Sequence, residues 1–421
     1  MKRWLLSWEL GHGLGHLAAL TAVARQALLH GIEPIIASSQ PLPETVTLPA
    51  GARFLLAPTW PRVTQPLTGT SSMSELLFEQ GFAQPDALVA KVQGWRDLIE
   101  IVGPSAVIVD HAPTALLTAK ALKVPTVQLG TGFAVPPSDG RSAMPSFRDW
   151  EAPNGLRMAQ AELAINKALL HAAARTGLPL STSTAALYCA PAVIRSLPML
   201  DHYSPSLRAA CGAPSFCGPL ELIRSGTTAS GASRIPDWPG AAGHKHRRIL
   251  AYLKVSHPLT LPVLNALASL QAHSAVSALV YVEGAEGVGN PHANIHIQNT
   301  PLPFKQLLQG STAQPGATLV IHQGGIGASS QALLAGVPQL LLPDMAEAFI
   351  TARTLVREQV AELLRPEASR ERVHQMLKQM IDGKHYRDRA TLLAKQNDAF
   401  AGDNGAQLWR LLTLAIPESF F

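Results

Sequence analysis

With 421 residues, the chain is too long for one ordinary hydrophobic core, and its length predicts two domains. Hydrophobic residues make up 47% of the sequence and charged residues only 15%, which is typical of an α/β protein with buried parallel strands. The net charge of +5 does not indicate a nucleic-acid-binding protein, because aromatic residues are few and the one dense basic cluster is residues 244–248. Cys189, Cys211 and Cys217 show no metal-ligand spacing and predict a reducing, cytoplasmic location.

The N-terminal segment only superficially resembles a signal peptide. Its apolar run is interrupted by Glu9, His12 and His16, whereas a signal peptide needs about 7–15 uninterrupted apolar residues. The sequence also contains no run of about 18 apolar residues, so we expect no membrane-spanning helix. The basic net charge leaves peripheral contact with an anionic membrane open.

Strand and helix patterns alternate through the first half of the chain. Strands are predicted at residues 4–8, 34–37, 106–109 and 125–129, and helices at residues 17–29, 86–102 and 114–122. This alternation predicts a parallel sheet with helices on both faces. Two long loops rich in proline and glycine, at residues 57–70 and 130–150, are candidates for a binding surface.

The second half repeats the alternation after a linker. Residues 219–248 hold many Gly, Ser and Pro residues and predict the linker between an N-terminal domain, 1–218, and a C-terminal domain, 249–421. The final helices, from residue 348 onward, are candidates for packing back on the first domain. Strands are predicted at residues 249–255, 278–282, 294–297 and 318–321.

The most informative segment is residues 322–338, HQGGIGASSQALLAGVP. It follows a predicted strand and leads into a predicted helix at residues 328–335, and this order of strand, glycine loop and helix N-terminus is typical of a phosphate site. The segment lacks the lysine of a P-loop, and its glycines read G-G-x-G instead of the G-x-G-x-x-G of a dinucleotide fingerprint. The alternative is an ordinary turn between a strand and a helix.

The segment Gly11-His-Gly-Leu-Gly-His16 joins the first predicted strand to the first predicted helix. Asp110 directly follows the strand at residues 106–109, so both His16 and Asp110 are expected at the carboxyl edge of one sheet, beside a cleft between the domains. A carboxylate bonded to one imidazole nitrogen leaves the other nitrogen able to remove a proton. The alternative is an ordinary helix-capping or solvated histidine.

These motifs resemble a known family. The chain is similar to inverting glycosyltransferases with two facing Rossmann-like domains (GT-B type), those of the bacterial and plant UDP-glycosyltransferase group, and more loosely to the glycosyltransferase that makes lipid II. Residues 318–338 resemble the family signature H-H-G-G-x-G-T-T…A-L-x-x-G-V-P. Residues 11–16 resemble its glycine-histidine opening, and residues 216–219 and 294–308 resemble two further family segments.

The resemblance implies that His16 is the general base for an acceptor hydroxyl or amine and that Asp110 is its partner. It implies a UDP- or dTDP-linked sugar as co-substrate, with no metal or other cofactor. The implied donor-binding residues are Gly13, Gly15, His322, Gln323, Gly324, Gly325, Gly327, Ala328, Ser329, Gln331 and Glu347. Several positions depart from the family. Gln323 replaces a diphosphate-binding His, Gln331 a ribose-binding Glu and Ala348 a sugar-binding Gln. Ala328 stands at a hydroxyl position, and Thr300-Pro301 replaces a Trp that stacks on the base in plant members.

The acceptor is expected to be small to medium-sized and largely apolar. The two long loops carry Trp60, Phe133, Met144, Phe147 and Trp150, which could line such a pocket or could only pin the loops to the domain. Two other functions stay open, namely a sugar-nucleotide epimerase or hydrolase of the same fold and a catalytically idle nucleotide-sugar-binding protein. Contact between His16 and Asp110 in the structure would favour the enzyme.

Overall fold

The computed structural model describes residues 2–44, 46–60, 69–221, 236–239, 247–271, 276–284, 292–312 and 314–417. Most of the predicted linker, residues 61–68 of the first long loop and residues 244–246 of the basic cluster lie outside these ranges. The chain divides into two compact units: unit 1, Met1–Ser225 with Asp403–Phe421, and unit 2, Gly226–Gly402. In the part of the chain that is described, no helix is both long and apolar enough to cross a membrane.

Unit 1 is built on a parallel sheet with the strand order β3-β2-β1-β4-β5-β6-β7. Its strands are β1 (Arg3–Trp8), β2 (Glu33–Ser38), β3 (Arg53–Leu56), β4 (Ala106–Asp110), β5 (Thr126–Gly130), β6 (Ala192–Ile194) and β7 (Ser215–Phe216). Its helices are α1 (Leu14–Leu29), α2 (Met73–Glu79), α3 (Pro85–Val102), α4 (Pro113–Ala121), α5 (Gly155–Thr176), α6 (Thr184–Tyr188), α7 (Pro205–Ala210) and, at the far end of the chain, α14 (Asn404–Ala415).

Both faces of this sheet are buried under helices. Successive residues of a strand point to opposite sides, so each strand contributes side chains to both cores. Leu5 and Val107 belong to the core on one face, which α3 and α5 cover. Trp4 and Ile108 belong to the core on the other face, which α1 and α14 cover. Trp409 of α14 stacks on Trp4 with 5.1 Å between ring centroids. The helix α14 therefore completes unit 1, although all of unit 2 precedes it in the sequence.

Unit 2 is built on a second parallel sheet, with the order β10-β9-β8-β11-β12-β13. Its strands are β8 (Arg247–Lys254), β9 (Val276–Glu283), β10 (Ile295–Gln298), β11 (Leu319–His322), β12 (Gln339–Leu341) and β13 (Ala361–Leu363). Its helices are α8 (Thr260–Gln271), α9 (Phe304–Gln309), α10 (Ile326–Leu334), α11 (Ala346–Arg357), α12 (Arg370–Asp382) and α13 (Lys384–Gln396). The loops that follow β8, β11 and β12 emerge from the same edge of the sheet, since these strands are parallel.

The α/β class predicted from the sequence is confirmed by these two helix-covered parallel sheets. Strands β1, β4 and β11 agree with the predicted strands to within one residue. The helix α10 begins two residues before its predicted start, because Ile326 and Gly327 already belong to its first turn. The glycine loop is therefore shorter than expected, and Gly327 is a helical residue.

Candidate active site

His16 and Asp110 are in contact in unit 1. His16 lies in the first turn of α1, Asp110 ends β4, and β1 and β4 are neighbouring parallel strands. The Nδ1 atom of His16 lies 3.0 Å from Oδ1 of Asp110. Asp110 is fully buried and His16 is 8% exposed. The structure thus brings together the two residues expected to form the catalytic pair.

A third residue, Arg195, faces the second oxygen of Asp110. Its Nε atom lies 3.5 Å from Oδ2, and both side chains are buried. Burial opposes the negative charge, but Arg195 and His16 outweigh it and lower the pKa of the Asp110 carboxyl below its usual value. An ionised Asp110 holds the imidazole with its hydrogen on Nδ1, which leaves Nε2 as a proton acceptor. Arg195 follows the very short strand β6. In the sequence it stands out only as a charged residue after a short apolar run.

The Nε2 atom of His16 faces Gly11. A Cβ atom on Gly11 would lie 3.0 Å from this nitrogen and 3.3 Å from Nδ1 of His111, so glycine keeps the space beside both imidazoles open. Trp8 stacks on the His16 ring with 4.8 Å between centroids and fixes its plane. His111, which the sequence motifs do not reveal, has a left-handed backbone with φ of 49°, a conformation that clusters at functional sites.

The two other glycines of residues 11–16, Gly13 and Gly15, lie at the start of α1. Gly13 has a φ of 98° and precedes the first residue of α1. Gly15 lies in the first turn of α1, where a Cβ atom would approach Nη1 of Arg195 to 3.6 Å. Both residues, expected to bind the donor, are placed beside His16, and neither carries a side chain that could bind a ligand.

In unit 2, the loop of residues 323–325 connects β11 to α10. Gly325 is the N-cap of α10, and no side chain caps this helix. The first backbone N–H groups of a helix have no partner within the helix, so those of Ile326, Gly327 and Ala328 are oriented to receive an anion. The geometry of this end of α10 suits a phosphate group.

His322 shapes this loop from within. Its Nδ1 accepts a hydrogen bond of 3.1 Å from the backbone N–H of Gly324, and its Nε2 lies 3.0 Å from Oε1 of Gln339. Burial lowers the pKa of His322 to about 4, so the ring is neutral at physiological pH. Ser329, expected to bind the donor, is fully buried beneath the loop. The ring of His322 therefore supports the loop, whereas the hydroxyl of Ser329 has no hydrogen-bond partner among the described residues.

The remaining predicted donor residues converge on the same edge of the sheet. The side-chain nitrogen of Gln323 is buried and has no hydrogen-bond partner among the residues that the structure describes. Ala328 and Gln331 lie half-buried on α10, and Glu347 lies half-buried in the first turn of α11. The start of α11 contacts the loop, because a Cβ atom on Gly324 would lie 3.1 Å from the carbonyl oxygen of Ala348.

Replacing Gly324 with alanine is expected to lower the free energy of unfolding by about 1–3 kcal/mol. Gly324 has a φ of 82°, in the left-handed region, and an added Cβ atom would press on the Ala348 carbonyl. Gly327→Ala is the matched control, since a Cβ there meets no described atom within 4 Å and alanine favours a helix. Urea denaturation compares the two variants, and equal stabilities would contradict this account of Gly324.

A charged pair lies at the same edge of unit 2. Lys254 ends β8 and Asp344 follows β12, and the Nζ atom of Lys254 is 3.3 Å from Oδ2 of Asp344. Because β8 and β12 flank β11 in the sheet, this ion pair spans the carboxyl end of β11, from which the glycine loop emerges. Among the described residues, no group of His, Cys, Asp and Glu side chains could hold a metal ion.

The aromatic residues of the two long loops are held by unit 1 itself. Phe133, Met144 and Phe147 are buried, and the rings of Phe133 and Phe147 are 4.9 Å apart. The indole N–H of Trp60 donates a hydrogen bond of 2.9 Å to Glu9, whose pKa is raised by burial. These four side chains therefore pin the loops to unit 1, which is one of the two roles considered for them above.

Known proteins resemble parts of this sequence. Residues 264–402 match the family model described as the C-terminal domain of erythromycin biosynthesis protein CIII-like proteins. A PGL/p-HBAD biosynthesis glycosyltransferase of Mycobacterium tuberculosis is 32% identical over 142 residues, which are 34% of this chain and 30% of the relative. The chain thus matches less than a third of the length of this curated relative.

Solved structures match nearly the whole chain. The glycosyltransferase of kitacinnamycin has a TM-score of 0.66 at 14% identity and covers 99% of each chain. A spinosyn rhamnosyltransferase has a TM-score of 0.65 at 19% identity, covering 98% of this chain and 99% of its own. VinC, solved with dTDP, has a TM-score of 0.65 at 15% identity, with the same coverage. The two parallel sheets and these likenesses confirm the resemblance seen in the sequence: the chain has the GT-B fold of these glycosyltransferases.

Proposed function

We propose that the protein is an inverting glycosyltransferase that moves a sugar from a nucleotide diphosphate sugar to an acceptor hydroxyl or amine. The contact between His16 and Asp110 is the observation that carries this proposal. The acceptor atom forms a bond to the anomeric carbon while the bond from that carbon to the diphosphate oxygen breaks. The proton of the acceptor passes to Nε2 of His16, and the Asp110 carboxylate stabilises the imidazolium that results.

The leaving diphosphate is proposed to lie at the N-terminus of α10. The backbone N–H groups there and the helix dipole oppose the negative charge that develops as the sugar departs. Because these groups are fixed before the reaction, we propose that transfer needs no metal ion. The donor base is proposed to be thymine or uracil, a choice supported by VinC and the spinosyn rhamnosyltransferase, both solved with thymidine diphosphate.

The acceptor is proposed to bind in unit 1 beside Gly11 and His16. We propose a small to medium-sized, largely apolar molecule, a class supported by the spinosyn rhamnosyltransferase solved with the spinosyn aglycone. An apolar acceptor would also partition into membranes, so peripheral membrane contact is part of the proposal. The proposed location is cytoplasmic. Pockets for such ligands are mostly apolar with a few placed polar groups, and His16 would be the decisive polar group.

The proposal is tested by a thermal-shift screen of nucleoside diphosphates and nucleotide sugars, followed by a transfer assay with the donor that binds. Nuclear magnetic resonance of the product gives the anomeric configuration, which should be inverted, and activity should survive EDTA. Hydrolysis at the same rate without acceptor would indicate a hydrolase. Donor binding without turnover, over a wide acceptor panel, would indicate the idle binding protein that Gln323 and Ala348 leave open.

Replacing Gly325 with valine is expected to weaken binding of the nucleoside diphosphate by roughly 10- to 100-fold, the loss of one or two charge-assisted hydrogen bonds. The φ of Gly325 is −58°, which any residue adopts, and a Cβ atom there meets no described atom within 4 Å. The fold should therefore tolerate valine, while its branched side chain fills the space in front of α10.

The matched control for this variant is Gly402→Val. Gly402 also belongs to unit 2, is exposed, and offers open space to a Cβ atom. Isothermal titration calorimetry with UDP and dTDP should give wild-type affinity for the control. Unchanged affinity in Gly325→Val would place the diphosphate elsewhere.

A further inference from the structure

The ion pair of Lys254 and Asp344 lies where the donor diphosphate is proposed to bind. Lys254 ends β8, and the pair spans the carboxyl end of β11, directly before the loop of residues 323–325. Both side chains are about one-third exposed, at 35% and 32%. An ion pair with this exposure contributes little to stability and exchanges its partner readily.

A positive charge at this edge of unit 2 would strengthen the binding of a diphosphate. Gln323, in place of the second histidine of the signature, is neutral, and burial keeps His322 neutral as well. The nearby His257 adds no charge, because burial outweighs the effect of Asp344 and lowers its pKa. Lys254 is a cation at the carboxyl end of β8, the strand next to β11 in the sheet.

We propose that Lys254 binds the diphosphate of the donor, and that Asp344 holds its ammonium group when no donor is present. This inference rests on the proposed donor site. A lysine ammonium is a compact charge on a flexible stem, so a small rotation can transfer it from a carboxylate to a phosphate oxygen. Binding of the diphosphate then replaces one ionic partner of Lys254 with another, and it leaves Asp344 to solvent.

The two partners should therefore affect binding in opposite directions. Lys254→Met is expected to weaken the affinity for UDP and dTDP by roughly 10- to 100-fold, because a charge-assisted contact is lost. Asp344→Asn is expected to leave this affinity unchanged or to raise it up to about fivefold, because it removes a competitor for the ammonium. If the pair were only structural, the two variants would weaken binding alike.

Isothermal titration calorimetry with the full chain measures these affinities, with UDP and dTDP as probes and uridine and thymidine as probes that lack phosphate. Lys254→Arg, which keeps the charge, should retain most of the affinity. Arg389→Gln is the matched control, because Arg389 forms an ion pair of similar exposure with Glu358, 2.8 Å long, elsewhere in unit 2. It should bind as the wild type does.

The outcomes separate this inference from the function on which it rests. If the wild type binds neither UDP nor dTDP, the proposed donor site is wrong. If the wild type binds them and Lys254→Met binds equally well, the donor site stands and the role of Lys254 is wrong. A loss in Asp344→Asn equal to that in Lys254→Met would also overturn it. Melting temperatures of each variant show whether any loss of binding reflects unfolding.

Discussion

Replacing His16 with alanine is expected to slow sugar transfer by roughly 100- to 10,000-fold, the usual contribution of a general base. Affinity for the nucleoside diphosphate should stay nearly unchanged, because His16 is proposed to act on the acceptor. The Nε2 atom beside Gly11 is the proposed acceptor for the proton. Initial rates and calorimetric affinities of the same preparation test both halves of the expectation.

The matched control for this prediction is His171→Ala. His171 is an exposed histidine of unit 1 on α5, and its ring lies 3.7 Å from the exposed Asp86. Removing it takes away an imidazole of the same unit without touching the pair of His16 and Asp110. Near-normal transfer by His16→Ala would end the assignment of His16 as the base, whatever the control shows.

Replacing Asp110 with leucine is expected to lower the free energy of unfolding by about 3–5 kcal/mol, because the guanidinium of Arg195 would stay buried without its carboxylate. Asp110→Asn keeps the shape of the side chain, so its effect on stability should be smaller, while transfer should still slow. The double variant Asp110→Leu with Arg195→Leu should recover part of the stability. Guanidinium denaturation of the three variants measures these differences, and a double variant no more stable than Asp110→Leu would contradict the buried pair.

The same carboxyl makes a pH-dependent contribution. Its pKa is lower in the folded protein than in the unfolded chain, where it is about 3.9. Its stabilisation is therefore complete at neutral pH and is lost as the pH falls below about 4 and through the folded-state pKa. In Asp110→Asn this part of the acid dependence should be absent, and unfolding measured between neutral and acidic pH shows the difference.

The contact of His16 with Asp110 could be predicted from the sequence because of one topological rule. The carboxyl ends of neighbouring parallel strands meet at one edge of a sheet. Asp110 follows the predicted strand at residues 106–109, and the short segment of residues 11–16 that ends in His16 follows the predicted strand at residues 4–8. Arg195 escaped this reasoning, because β6 has only three residues and shows no periodic pattern. The same holds for β3 and β7, which have four and two residues.

The glycine loop shows a different limit of sequence reasoning. The order of strand, loop and helix in residues 318–338 is confirmed by β11 and α10. The direction in which His322 points depends on Gln339, which lies one strand away and whose amide completes a buried chain of hydrogen bonds. A periodic pattern indicates which element a residue belongs to, but the partner of a buried polar side chain depends on tertiary packing. The contact between Lys254 and Asp344 likewise depends on tertiary structure, because the two side chains meet across β11, which lies between their strands in the sheet.

The position of α14 has a consequence for how the protein is made. Unit 2 is one continuous stretch of chain, whereas unit 1 needs Asn404–Ala415 to complete the core that contains Trp4. On the ribosome, unit 2 can therefore reach its final packing before unit 1. The part of unit 1 that carries His16 keeps an uncovered apolar face until α14 has been synthesised. A premature stop just after residue 402 would spare every residue of unit 2 and damage the half that was translated first. Chaperones that recognise exposed apolar surface would bind the N-terminal half of this protein.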